Sequence, residues 1–406
     1  MDVGPYEMID FGKLAEAFPP LKPFLFENAN GGYSLNFKDD AANRTLTQAL
    51  LSRDFGLEVT LLEDRLCPPV GAIVPNRLNY VLWISELVKT LNSEEPIVGV
   101  DMQRPSGTGS TAIYPLLACS IHKTWRFIAA DIDSRSLAAA QVNIERNPGV
   151  KDRIYLYPTT QDAPILSPLL PENLTRIGIQ HVTFSMCNPP FYSDMEEVNR
   201  SAENKEYDPH AVCTGALVEM ITPGGEVAFV QRMINEINSI KEKGIDNYAI
   251  TELVQGTTRR WVVSWSFMDI RLPDRLARPK SSSLKSIAPL PNNLHHPSTQ
   301  PIPYESLVQA LKDVAKLQYQ EMQDPPRVHV TVYEVTWTRA ARRRMARDAS
   351  STEQVQSKDA KPVMVCEVGV IDAHTLEVRW VRGRDRNIFE SFWGYLSKKL
   401  GTGVSA

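Results

Sequence analysis

Ile97-Val98-Gly99-Val100-Asp101, Gly107-Thr108-Gly109-Ser110 and Trp125-Arg126-Phe127-Ile128-Ala129-Ala130-Asp131 are the stretches that decide how this sequence folds. An apolar run of strand length is followed by a glycine pair that opens a helix, then by a second apolar run that ends in an acid. Glycines at such a turn let a ligand approach the backbone closely. A carboxylate ending the second strand, about 20 residues beyond the turn, is placed to meet ribose hydroxyls. Each feature also has a plainer reading. Glycine marks turns in most chains, and Asp131 would serve equally as a cap for the helix from Ser134.

The alternation extends outward from these stretches. Further strands are predicted at Arg153–Tyr157, Val182–Cys187 and Glu226–Val230, with a helix from Gln231. Short apolar runs alternating with helical segments argue for a parallel sheet. Tyr248–Gln255 and Arg260–Phe267 have no helix between them and read as an antiparallel hairpin added to a doubly wound sheet. Upstream, Asn43–Ser52 and Asn76–Leu91 read as helices around a turn-rich stretch at Cys67–Pro75. Ile84, Leu87, Val88 and Leu91 fall at i, i+3, i+4 and i+7. Downstream, residues 271–303 hold seven prolines and a Ser281-Ser282-Ser283 run, which reads as a linker. Beyond it a helix from Tyr304 to Gln320, β-rich runs at Arg327–Thr338, Pro362–Ile371 and Thr375–Trp380, and a final helix Asn387–Leu400 make a small α+β module. Ser350–Lys361 is polar and reads as a loop. The predicted organisation is an N-terminal helical module (1–95), an α/β domain (96–270), the linker (271–303) and the C-terminal module (304–406).

Composition narrows the classes. With 43% hydrophobic and 23% charged residues and a net charge of −4, the chain has ordinary globular composition. A nucleic-acid partner would have to be met by a local basic patch. Met1–Phe26 is broken by four prolines and carries Asp2, Glu7 and Asp10, so it offers no signal-peptide core, and no 18-residue apolar run suggests a membrane partner. The five cysteines lack a Cys-x-x-Cys pair and the histidines are scattered, so neither a structural metal nor a disulfide framework is expected.

Asn188-Pro189-Pro190-Phe191 carries the sharpest chemistry, because a predicted strand delivers it to the carboxyl edge of the sheet, where α/β folds bind ligands. Two prolines fix φ and donate no hydrogen bond, leaving the Asn188 side-chain oxygen and a prolyl carbonyl as preset acceptors. Two acceptors suit an amino group, and Phe191 can stack on a planar base. The plainer reading is an Asx-Pro turn ending a strand. Glycine turn, Asp131 and Asn-Pro-Pro-Phe in this order fit an S-adenosylmethionine-dependent methyltransferase acting on an amino group. Arg77, opening the Asn76 helix, would then pair with the methionine carboxylate, or else be a solvated charge.

Five blocks extend the pattern: Val74-Pro75-Asn76-Arg77-Leu78-Asn79-Tyr80, Ile113-Tyr114-Pro115-Leu116-Leu117, Asn188-Pro189-Pro190-Phe191, Gly224-Gly225-Glu226 and Gln255-Gly256-Thr257-Thr258-Arg259-Arg260-Trp261. In this order they resemble the methyltransferase-like adenosine-N6-methyltransferases of U6 small nuclear RNA, to which bacterial 23S ribosomal RNA adenine-N6-methyltransferases are similar. The resemblance implies a Rossmann-like methyltransferase domain and S-adenosylmethionine as cofactor. It also implies a structured RNA, U6 snRNA first, as partner, and work in the nucleus, with the cytoplasm as the alternative. By the resemblance, Asn188, Pro189, Pro190 and Phe191 would hold the target adenine. Arg77, Gly107, Gly109, Asp131 and Gln161 would hold the cofactor. Asn36, Lys38, Arg44 and Arg53 of the N-terminal module would line an RNA groove; the plain reading of these charges is solvated surface.

Two departures from that pattern stand out. Gln103-Arg104-Pro105-Ser106 lengthens the cofactor loop between Asp101-Met102 and Gly107, and the segment between the Gln231 helix and Asp246 is shorter by about a strand and a helix. The C-terminal module has its own basic cluster, Arg339, Arg342, Arg343, Arg344 and Arg347. From Arg327 to Arg347 the local charge is +5, which suits phosphate contacts, with Arg342, Arg343 and Arg344 at its centre. A solvated face or an import signal is the plainer reading. Two other functions remain open on sequence alone. A protein glutamine side chain also fits an Asn-Pro-Pro-aromatic pocket, and a chain whose cofactor loop has decayed would bind RNA without catalysis.

Overall fold

In the computed structural model the described residues are 9–29, 31–65, 73–102, 108–203, 220–240, 245–255, 258–280, 284–348 and 361–401. They fall into two compact units, Met1–Glu242 with Leu253–Thr258, and Lys243–Glu252 with Arg259–Ala406.

The first unit is built around β3 (Val98–Met102), whose five residues are all buried. It pairs in parallel with β4 (Arg126–Asp131) on one side and with β6 (Phe184–Met186) on the other, and β4 pairs in parallel with β5 (Ile154–Pro158). The sheet order is therefore β5-β4-β3-β6. Strands buried on both faces read as continuous apolar runs, which is why their positions are plain in the sequence. Helices α4 (Ile113–Ile121), α5 (Ser134–Glu145) and α6 (Pro171–Arg176) carry the crossovers. Gly99 sits where Phe127 and Phe184 meet edge-on, 5.7 Å between ring centroids.

The N-terminal part adds α1 (Phe11–Ala17), a short hairpin of β1 (Leu25–Glu27) and β2 (Tyr33–Leu35), α2 (Asp40–Phe55) and α3 (Ile73–Lys89). Asp39 caps α2 by accepting from the Ala41 and Ala42 amides, and Gly56 ends it in the left-handed conformation at φ 63°. The chain that follows is pinned to α5. Asn147 and Glu58 exchange two hydrogen bonds, Asn143 and Thr60 two more, and Arg65 pairs with Asp133 at 2.8 Å. Pro75, placed in a turn by sequence, lies in the first turn of α3, where a missing N–H costs nothing.

Helices α7 (Met195–Glu203) and α8 (Gly225–Ile240) complete this unit. Glu226–Val230, predicted as a strand, is the opening of α8. Phe229, Met233 and Ile237 are buried at helical spacing, and Val227 is 82% exposed. A half-buried strand would have buried alternate residues instead. The hairpin β7 (Asn247–Gln255) and β8 (Thr258–Ser266), expected to extend the parallel sheet, forms a two-stranded sheet of its own.

The second unit has an antiparallel sheet in the order β10-β11-β12-β13-β9. Its strands are β9 (Asn293–Pro297), β10 (Leu317–Gln323), β11 (Pro326–Val332), β12 (Met364–Ile371) and β13 (Thr375–Gly383). Four helices accompany it among the described residues: α9 (Asp274–Ala277), α10 (Tyr304–Lys312), α11 (Arg339–Asp348) and α12 (Arg386–Gly401). Val328, Val330, Cys366, Val368, Leu376, Val378 and Trp380 share one core with Leu307, Leu311, Phe389, Phe392 and Leu396. Two expectations change here. The stretch 271–303 contains α9 and the edge strand β9, which pairs with β13 from Asn293 to Pro297, so its prolines flank structure. The helix predicted to reach Gln320 stops at Lys312, because Lys316 turns to φ 57° and the chain then alternates Leu317 and Tyr319 inward as β10. The predicted loop at 350–361 lies almost wholly outside the described residues.

A Cβ at Gly99 would lie 2.6 Å from Phe184 Cζ and 2.8 Å from Phe127. Gly99→Ala is therefore expected to destabilise the first unit by about 1–3 kcal/mol, read as a lower urea midpoint. An unchanged midpoint would contradict this packing.

Candidate active site

The register of the parallel sheet sets its carboxyl edge. Asp131 lies opposite Pro158, Met102 opposite Ala130 and Asp101 opposite Met186. The chain leaves β3 to one side for β4 and β5, then crosses to the other side for β6. The crevice of such a sheet opens where the order reverses, at the ends of β3 and β6. Asn188 follows β6 by two residues and so sits beside the end of β3.

At the β3–β4 side, the turn after β3 is tied to β4. Thr108 N donates to Ala130 O at 2.7 Å, and Gly109 N donates to Asp131 Oδ2 at 2.9 Å. Asp131 Oδ1 accepts from Asp133 N at 2.8 Å. Gly109 adopts φ 72°, and a Cβ there would meet no described residue within 4 Å. Gly107 lies outside the described residues. Gln161 is exposed, two residues after Thr159, whose N–H donates to Asp131 O at 2.9 Å. Asp131 and Gln161 therefore share one end of the sheet with the Gly109 turn.

Asp101 was read as no more than the end of the first strand, yet it is completely buried. Its Oδ2 accepts from the Thr108 hydroxyl at 2.8 Å, while Oδ1 has no hydrogen-bond partner among the described residues. Burial pushes its carboxyl up to about 7, against the Thr108 hydrogen bond and the Arg77 charge. Burial likewise pushes Asp131 up to about 8, against the backbone N–H groups of Asp133 and Gly109. Two desolvated carboxylates, one with an unused oxygen, suit a ligand that brings cationic N–H and hydroxyl donors. S-adenosylmethionine brings an ammonium, a sulfonium and ribose hydroxyls, so these residues fit it.

On the β6 side, Asn188 and Pro189 are half-buried, Pro190 is buried and Phe191 is 49% exposed. The aromatic is presented outward, as a stacking surface requires. The following residue fixes the bend. Tyr192 N donates to Met220 O at 3.1 Å, Thr222 N donates to Tyr192 O at 2.9 Å, and a Cβ at Gly225 would lie 3.5 Å from Ser193 N. Gly224 and Gly225 take φ 75° and 66°, conformations that other residues rarely adopt.

Arg77 comes to the site from α3. Its guanidinium lies over the Tyr114 ring, 5.4 Å from the centroid, and its charge acts on Asp101. Tyr114 in turn meets Tyr80 edge-on at 5.5 Å. Sequence reasoning quoted both tyrosines and gave them no role. The three-residue spacing from Arg77 puts Tyr80 on the same helix face, and no such signal marks Tyr114, which comes from α4.

The proposed RNA-facing residues differ in availability. Asn36 Oδ1 accepts from Lys38 N at 3.1 Å, a local turn that leaves Lys38 exposed. Arg44 pairs with Glu63 at 3.3 Å, and Arg53 makes a two-point contact with Asp54 at 2.6 and 2.9 Å. Arg342, Arg343 and Arg344 are exposed on α11, with Arg344 paired to Glu334 at 2.8 Å.

The chain is similar to known proteins. The profile of a family described as RNA methyltransferase matches residues 6–245. The U6 small nuclear RNA (adenine-(43)-N(6))-methyltransferase of Schizosaccharomyces pombe is 31% identical over 93% of this chain and 97% of its own length. The human RNA N(6)-adenosine-methyltransferase METTL16 is 33% identical over 64% of this chain, which spans 49% of that protein. The crystal structure of the human METTL16 catalytic domain with a MAT2A 3′UTR hairpin covers 68% of this chain and 96% of its own, at 32% identity and a TM-score of 0.56. The chain belongs to the RNA methyltransferase family.

Both carboxyls hold a proton more tightly folded, at about 7 and about 8, than in an unfolded chain. The stability tied to those protons is complete below about pH 4 and is lost as pH rises through the folded values. Asp101→Asn removes one of the two. Its melting temperature relative to the parent should therefore rise between about pH 5 and about pH 8.5, and a difference constant across that range would contradict the buried carboxyl.

Proposed function

We propose that this chain transfers a methyl group from S-adenosylmethionine to N6 of an adenosine in a structured RNA, with U6 snRNA as the substrate. The observation that carries the reading is the juxtaposition of an outward Phe191 and the Asn188 acceptors with Asp101 and Asp131 along one sheet edge. Similarity over nearly the whole chain to a U6 methyltransferase supports the choice of RNA. A spliceosomal RNA implies work in the nucleus.

The residues divide the task. Arg77 meets the methionine carboxylate as a charge-assisted pair. Asp131 accepts ribose hydroxyls, and the Gly109 backbone, with Gly107 and Gln161, frames the rest of the cofactor. When bound, S-adenosylmethionine supplies an electrophilic methyl group on sulfur. The Asn188 oxygen and a prolyl carbonyl of Pro189 or Pro190 accept the two amino hydrogens, which draws electron density back onto the nitrogen and aims its lone pair. Phe191 stacks on the base. An adenosine paired in a helix has its amino group occupied, so an unpaired or flipped one must enter. Displacement at a methyl group asks mainly for alignment, which a rigid prolyl bend provides.

RNA is held by Lys38 at the Asn36 turn, and Arg44 and Arg53 contribute where phosphate competes with their carboxylate partners. Arg342, Arg343 and Arg344 form a second contact on α11. An exposed arginine face suits a polyanion better than the glutamine of a protein substrate.

Asn188→Ala should leave cofactor affinity within about twofold and lower turnover by about a hundredfold or more. Calorimetric titration with S-adenosylhomocysteine and tritium transfer to RNA separate the two, and an equal loss of both would contradict the role. Replacing Arg342, Arg343 and Arg344 together by Ala should weaken RNA binding and reduce the slope of log affinity against log salt by about 2–3. An unchanged slope would remove α11 from the interface.

A further inference from the structure

The geometry points to a nucleotide-binding site in the second unit, where Tyr248, Arg271, Arg384 and Arg386 line one cavity and hold a planar base and its phosphate. The site shares no residue with the sheet edge and stands or falls separately from the transfer reaction.

The cavity measures about 400 Å³, within the range of about 300–1,000 Å³ typical of small-ligand sites. Its floor is built by stacking. The Arg271 guanidinium lies over the Trp380 ring, 4.4 Å from the centroid, and Trp380 itself stacks on Phe389 at 5.1 Å and 10°. Arg271 and Trp380 are both buried, and Arg271 is fixed in place. Its Nε donates to Gly383 O at 2.8 Å, and Nη1 and Nη2 each donate to Asp246 at 3.3 Å. Leu272, Ala277 and Pro289 supply an apolar wall. Tyr248 stands at the rim, 43% exposed, with its hydroxyl donating to Ile287 O at 3.1 Å, so the ring is held from its far end.

The polar groups suit both halves of a nucleotide. Arg384 meets Asp246 Oδ1 at 3.0 Å, and Arg386 donates from Nε to Glu390 at 2.6 Å. Three guanidinium groups thus share two carboxylates, and one phosphate ester would neutralise the positive charge left over. Burial lowers the basicity of Arg271, and the Arg384 and Arg386 charges act in the same direction against Asp246. Arg384 is half-exposed, so a phosphate can reach it. Asn247 donates its amide to Met268 O at 2.8 Å and Ile270 O at 3.0 Å, and Asn292 donates to Leu272 O at 2.8 Å. That leaves the two amide oxygens as acceptors for the edge N–H groups of a base. A network with a purely structural task would close on itself, since protein interiors seldom keep a void larger than a water molecule. This one surrounds room for a ring. Stacking on an aromatic beside arginines is how a nucleotide is held without its sequence being read.

Titration of the full chain with uridine 5′-monophosphate, with S-adenosylhomocysteine present, tests the site. Binding should be at least about tenfold tighter than that of uridine or inorganic phosphate, because the cavity engages both halves. Tyr248→Ala should weaken it about tenfold, the worth of one stacked base, while Tyr248→Phe should stay within about twofold. Arg384→Gln should weaken the monophosphate about threefold and leave uridine unchanged. An octauridylate strand that displaces the monophosphate identifies the ligand as a unit of RNA, and one that does not identifies a free nucleotide; either result supports the site. Inorganic phosphate that binds as tightly as the monophosphate would overturn the inference, leaving an anion site only. So would a monophosphate that fails to bind, or one that binds Tyr248→Ala as tightly as the parent. Should the Ala variant fail to fold, ultraviolet crosslinking of 4-thiouridine 5′-monophosphate to the parent decides. A crosslinked peptide carrying Tyr248 supports the site, and crosslinks only elsewhere, or none, overturn it.

Discussion

The structure depends on the reversal of strand order between β3 and β6. Because Asp101 pairs with Met186 and β3 and β6 run parallel, the end of the first strand and the start of the Asn-Pro-Pro-Phe bend are neighbours about 5 Å apart. Everything functional is a consequence of that adjacency. The glycine turn follows one strand, the amino-group acceptors follow the other, and Asp131 closes the far side one strand further along. Gly99 lets the two strands approach over Phe127 and Phe184, since a larger residue would collide with both rings.

Much of this was legible in the residues. Val98–Met102 and Arg126–Asp131 were plain because strands buried on both faces leave continuous apolar runs. Asn188 to Phe191 stood out because two successive prolines leave few conformations, and Asp131 because it ends an apolar run after the glycine turn, although a helix cap read equally well there. The structure joins Asp131 to Gly109 by a hydrogen bond and leaves Phe191 half exposed. Glu226–Val230 misled because Val227, Phe229 and Val230 are β-favouring, and only the burial of Phe229, Met233 and Ile237 reveals helical period. The prolines of 271–303 misled in the opposite direction, since they border an edge strand that pairs with β13. Asp101 was invisible as a functional group, because nothing in a sequence tells which buried oxygen lacks a donor among the described residues.

The two departures from the family pattern have different standing in the fold. Beside the shortened segment after α8, β6 ends the parallel sheet among the described residues, and β7 and β8 pair there with each other. Asp101, Asp131 and Asn188 all lie on the β3 side of that change. The lengthened turn at 103–107 bears more closely on the cofactor, and its flanks are intact. Asp101 and Thr108 are joined by a hydrogen bond at 2.8 Å across it, and Gly109 keeps the left-handed conformation that opens its backbone.

The central claim is that an adenosine amino group is the nucleophile at this sheet edge. Nucleoside mass spectrometry tests it most directly, on a hairpin RNA carrying one unpaired adenosine after incubation with the full chain and S-adenosylmethionine labelled in its methyl group. The account predicts labelled N6-methyladenosine confined to that nucleoside. Label on another base or on the ribose, or label found only on protein glutamine, would contradict it.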